Sequence, residues 1–93
     1  MEKIYSLFCL TFDNAYWETH CKLISNFSDL ADANEEMTDC MSENGKPVDA
    51  PIGVIYTAQK YIPDSMTIVN NDFYAVKNGD LTHVYFVTVS EIH

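Results

Sequence analysis

Residues 28–45 read SDLADANEEMTDCMSENG, and the placement of this stretch decides how the rest of the chain is arranged. On a helical wheel at about 100° per residue, Leu30, Ala33, Met37, Cys40 and Met41 gather in one arc wide enough to be a core-facing stripe. Asp29, Asp32, Glu35, Glu36, Asp39 and Glu43 fill the opposite arc, with no Lys or Arg among them. The ends are also marked. Ser28 has the side chain of an N-cap, Gly45 suits the left-handed position after the last turn, and Pro47 bars continuation. The spacing predicts a helix over 29–44, laying its carboxylates along about 22 Å of axis.

That helix carries an internal cost. Asp32–Glu36, Glu35–Asp39 and Asp39–Glu43 are like-charge pairs four residues apart, each destabilising by about 0.2–0.5 kcal/mol. Asp29 and Asp32 suit the positive end of the helix dipole, whereas Glu43 lies at the negative end. A helix needing only a wetted face would ordinarily mix in lysines. A solvated acidic face is the plain reading of such a run; a binding surface for a basic partner is the reading that gives the missing lysines a reason.

The flanks predict an α+β fold. Residues 3–12, KIYSLFCLTF, are apolar on both alternating faces and suit an interior strand covered on both sides or a strand at a subunit contact. Tyr16, Trp17, His20, Cys21, Ile24 and Phe27 follow at helical spacing behind Asp13 and Asn14, so a first helix is expected over 14–27. Residues 46–53, with two prolines, read as an extended connector. Residues 54–61, rich in β-branched and aromatic side chains and closed by Pro63, read as a strand, and 66–69 as a shorter one before an Asn70-Asn71 turn. Residues 73–77 and 81–89 flank Asn78-Gly79, a strong signal for a type I′ hairpin. The expected order is β-α-α-β-β-β, possibly with one extra strand. It places two consecutive helices on one face of a largely antiparallel sheet in a single domain over 1–93. The second face is then open and apolar, which suggests a homodimer.

The 93-residue chain has 14 acidic residues against 5 lysines and no arginine, a formal charge of −9. Direct binding to nucleic acid or to anionic membranes is disfavoured, since both depend on Lys and Arg. A negative field attracts basic partners instead. A hydrophobic content of 47% excludes a disordered chain. Cys9, Cys21 and Cys40 form an odd set without C-x-x-C spacing, which suggests reduced thiols and a cytoplasmic protein. There is no apolar run of bilayer-spanning length and no basic-then-apolar leader pattern.

Motifs for chemistry are missing. His20 and Cys21 would point about 100° apart on a helix and could not act as base and nucleophile. No zinc-ligand spacing, EF-hand loop or glycine-rich phosphate loop occurs, so neither a cofactor nor a metal is expected. What remains is a scaffold with a line of negative charge, which Asp49, Asp64, Asp72 and Asp80 could extend.

In length, charge and general character the chain resembles the small acidic DNA-mimic proteins of bacteriophages, most of all the Arn-type anti-restriction proteins of T-even-like phages. The resemblance rests on charge layout over the whole chain rather than on a motif. It implies a non-enzymatic inhibitor acting in the host cytoplasm. Its partner would be a basic DNA-binding protein such as a modification-dependent restriction nuclease or a nucleoid protein. The partner-binding carboxylates named from the wheel and its flank are Asp29, Asp32, Glu35, Glu36, Asp39, Glu43 and Asp49. Two other readings stand beside this one: an interaction module using an apolar sheet face, with charge only for solubility, and a small Cys/His enzyme.

Overall fold

Two twelve-residue strands form the spine of the protein. In the computed structural model, which describes residues 2–13 and 19–92, β1 (Glu2–Asp13) pairs antiparallel with β6 (Leu81–Ile92) along its full length, from Glu2 opposite Ile92 to Asp13 opposite Leu81. Because both strands are apolar on alternate residues in both phases, each buries two faces. Phe8 lies opposite Phe86 with ring centroids 5.4 Å apart, and Leu10 lies opposite Val84. Leu7 opposite Val87 and Cys9 opposite Tyr85 line the other face. The remaining elements are β2 (Thr19–Phe27), α1 (Leu30–Asn44), β3 (Lys46–Val48), α2 (Val54–Gln59), β4 (Thr67–Ile68), a single 3-10 turn (Val69–Asn71) and β5 (Tyr74–Asn78). The strands run β2-β1-β6-β5-β3 across the sheet, and β4 pairs with β6 off this path.

This arrangement corrects the expected β-α-α-β-β-β order. The chain is β-β-α-β-α-β-β-β, and its two helices lie on opposite faces of an antiparallel sheet rather than together on one. The helix expected over 14–27 is replaced from Thr19 onward by β2; residues 14–18 lie outside the described residues. The cause is a β-bulge. Leu7 pairs with Ser25 but Phe8 pairs with Leu23, so Ile24 is an extra residue in β2. Before the bulge Cys21 packs with Phe8 and Leu10; beyond it Ile24 and Phe27 pack with Leu7 and Cys9 on the other face. The change of face turns a two-residue period into the three-residue spacing of Cys21, Ile24 and Phe27, which imitates a helix.

Residues 54–61 are not a strand either. Gly53, at φ +79°, turns the chain into α2, whose Val54 and Ala58 are buried one turn apart against Phe86 and Ile68. Packing overrides the β propensity of Val, Ile and Tyr here. The expected connector contributes β3, where Pro47 is tolerated because β3 lies at the sheet edge. Asn70 and Asn71 do turn the chain, both at positive φ. The hairpin is displaced by one residue: Asn78 pairs with Leu81, so Gly79 and Asp80 form the loop. Gly79 alone has positive φ, the pattern of a type II′ rather than a type I′ turn.

Both sheet faces are covered within the chain. On one, α1 packs Ala33 and Met37 against Leu7, Val76, Tyr85 and Val87. On the other, α2 and the segment around β4 bring Val54, Ala58, Ile62, Ile68, Met66 and Phe73 over Phe8, Leu10, Val84 and Phe86. The face that was expected to be open is therefore closed by residues 50–73, and it no longer gives a reason for a dimer. Among the described residues, no helix is long and apolar enough to cross a membrane.

Candidate functional site

The acidic helix forms over Leu30–Asn44, one residue inside the expected start. Asp29, not Ser28, is its N-cap, its carboxylate accepting the Ala31 N–H at 3.0 Å. Both residue types cap well, and the choice between neighbours is settled by where β2 ends. At the other end the Asn44 side-chain amide donates to the Cys40 carbonyl at 2.7 Å and to the Tyr85 hydroxyl at 3.0 Å, tying the last turn to the sheet. Gly45 does not take the left-handed helical cap expected of it. Its φ of +145° and ψ of −161° turn the chain directly into β3, beside the Lys77 carbonyl.

The wheel places the carboxylates as the sequence suggests. Asp29, Asp32, Glu35, Asp39 and Glu43 are exposed. Glu36 is half-buried and accepts a long contact from the Cys40 thiol at 3.8 Å. Among the described residues no lysine forms an ion pair with any of the six. The opposite flank of α1, carrying Asn34, Thr38 and Ser42, looks toward Pro47 of β3 and Tyr74 of β5. The carboxylate band therefore covers the outward surface and the flank toward β2 and β1. Asp49 is exposed but lies two residues past Pro47, across the uncharged flank, so the structure does not bring it onto the band.

Between that uncharged flank and the sheet edge runs a groove of about 620 Å³, lined by Met37, Met41, Pro47 and Tyr74 with Thr38 and Ser42 at its rim. Sequence reasoning missed it, because two walls come from β3 and β5, more than twenty residues apart. Only Met41, at the edge of the apolar arc, hinted that the stripe is wider than the core needs.

The thiol chemistry considered from sequence does not assemble. His20 and Cys21 are neighbours in a strand, and Cys21 packs on the Phe8 face. A different pair meets instead: the Cys9 sulfur lies 4.0 Å from His83 Nδ1, and the Thr11 hydroxyl lies 3.1 Å from the same nitrogen. Their positions follow from the β1–β6 register, which sequence alone did not supply. Burial pushes the Cys9 thiol up, the opposite of an activated nucleophile. Cys21 and Cys40 are raised too, first by burial, and in Cys40 also by Glu36. All three are free thiols, and among the described residues no group of three or more His, Cys, Asp or Glu side chains could hold a metal ion.

These buried and half-buried acids give a pH dependence. Burial, with the adjacent Cys9, also raises the Tyr85 phenol well above its ordinary 10.0. The fold favours the protonated forms, so their contribution is complete below the ordinary thiol value of 9.0. Above that pH the unfolded chain releases protons that the folded chain retains, and stability falls. Thermal unfolding at about pH 8 and about pH 10.5 should show a lower midpoint at the higher pH; an equal or higher one would contradict the burial of these groups.

No family model, curated protein or solved structure matches this chain.

Proposed function

We infer that the protein is a non-enzymatic DNA mimic whose α1 carboxylates occupy the DNA-binding site of a basic protein. The observation that supports this most is the spacing of the band. From Asp29 to Glu43 the helix rises about 21 Å, so its six carboxylates follow one another at roughly 4.2 Å on average, near the ~3.4 Å per phosphate along one DNA strand. Five of the six carboxylates are exposed, and the band is free of lysine and set on a helix capped at its start and tied to the sheet at its end, so its charges are held in place rather than on a floppy tail. Such a surface offers a phosphate-binding cleft the attraction it makes with DNA, without bases to read or a backbone to cut. A nuclease that would otherwise cleave the DNA, or a nucleoid protein that would coat it, fits that description. The reading needs one helix and no second copy.

The alternative of an apolar sheet face finds less support, because α1 packs over one face and the segment around α2 and β4 over the other. Capture of bacterial DNA-binding proteins on the immobilised chain at low salt, followed by elution with duplex DNA, tests the proposal. Elution by duplex and by raised salt is expected. Bound protein that withstands both would place the contact away from the band.

A further inference from the structure

We propose that the groove beside the acidic band docks the apolar face of a basic amphipathic helix, so that this surface recognises a helical protein segment as well as imitating phosphate. The inference rests on the reading of α1 as the binding surface and adds the partner's secondary structure and apolar anchors.

The groove is apolar and is separated from the charged band of α1 only by an uncharged rim. Met37 and Met41 form its floor, and Pro47 and the 45%-exposed Tyr74 form the far wall. From Asn34 to Gly45 it follows about 16 Å of helix axis. That length accepts anchors at i, i+3 or i+4, and i+7 of a docking helix, which span about 10 Å. Methionine suits the task, because its unbranched, polarisable side chain adapts to differing apolar partners. The charge layout then fixes the polar face of the occupant. Thr38 and Ser42 form the uncharged rim, and Asp39 and Glu35 come next around the helix. A helix whose leucine-like side chains enter the groove therefore places residues on its adjoining flank against carboxylates, where lysine or arginine is favoured. An acidic or uncharged helix would fill the groove without using that flank. DNA offers no side chain for the groove, so this contact separates a protein partner from any ligand bound by charge alone.

The test uses two synthetic peptides of about 18 residues, one a leucine–lysine amphipathic helix and the other its serine-for-leucine counterpart with the same lysines. They are titrated into the full chain carrying methyl-labelled methionine. The leucine peptide should shift the methyl resonances of Met37 and Met41, leave Met66 on the opposite sheet face in place, and bind at least about tenfold tighter than the serine peptide. Part of its binding should survive about 0.5 M NaCl, where charge-led contacts are screened. The uncharged double substitution Met41→Gln with Tyr74→Ser should cost the leucine peptide about tenfold and the serine peptide nothing. Equal affinity for the two peptides, unmoved Met37 and Met41 methyls, or Met66 moving equally would overturn the proposal. Methyl mapping on the unsubstituted chain decides even if the double variant folds poorly. No DNA-binding protein enters this experiment, so a failure here leaves the capture-and-elution result to judge the mimic reading by itself.

Discussion

Replacing Asp32, Glu35, Glu36 and Asp39 together by their amides is expected to keep the fold and weaken binding to the basic partner. Shape is conserved at each position, and three of the four side chains are exposed. Three like-charge pairs are relieved, at about 0.2–0.5 kcal/mol each. Against this, losing Asp32 from the first turn forfeits about 0.3–1 kcal/mol of favourable interaction with the helix dipole. The two terms nearly cancel, so the thermal midpoint should move by only a few degrees. Binding responds differently. Each carboxylate facing a cation contributes about 0.2–1 kcal/mol, so four together amount to about 0.8–4 kcal/mol, or roughly 4- to 1,000-fold in affinity. Calorimetric titration against the captured partner reads this directly. An amide variant that binds as well as the parent would return the band to the role of a wetted face.

The largest effect on stability is expected at Gly45. A Cβ there would lie 2.4 Å from the Lys77 carbonyl oxygen and 2.8 Å from its carbon, both backbone atoms of β5 that cannot swing aside. The residue also sits at φ +145°, which side-chain-bearing residues rarely adopt. Backbone strain of about 1–3 kcal/mol adds to an overpacking cost of similar size, so Gly45→Ala should lose about 3 kcal/mol or more. For a domain of this size that is a fall of roughly 12 °C or more in midpoint. The joint between α1 and β3 would open, and with it the groove wall at Pro47. A loss below about 1 kcal/mol in thermal unfolding would show that α1 is not held against β5 in this way.

These two positions also mark what sequence could and could not reveal. The band was legible because a helical wheel needs only local spacing, and local spacing is what α1 obeys from Leu30 to Asn44. Gly45 was legible as a terminator but not as a point of close approach, since Lys77 comes from an element 32 residues away. Residues 19–27 were misread because a single bulged residue, Ile24, reverses which face follows. Nothing in a one-dimensional pattern distinguishes that reversal from a helical stripe. Residues 54–59 carry strand-like side chains but are turned by Gly53 and held by burial of Val54 and Ala58, which is tertiary information. The same missing knowledge hid the cover over the Phe8–Phe86 face, whose apparent openness suggested a homodimer. The groove required both the helix and the β3–β5 edge, so it could emerge only from the fold.

Displacement of a labelled duplex from the captured partner decides whether the α1 band takes the place of DNA. Full displacement is expected at saturating protein. Salt should further weaken both ligands, the duplex more steeply, because binding the duplex releases its condensed counterions. A ternary complex, with duplex and protein bound to the partner at once, would contradict that role for the band.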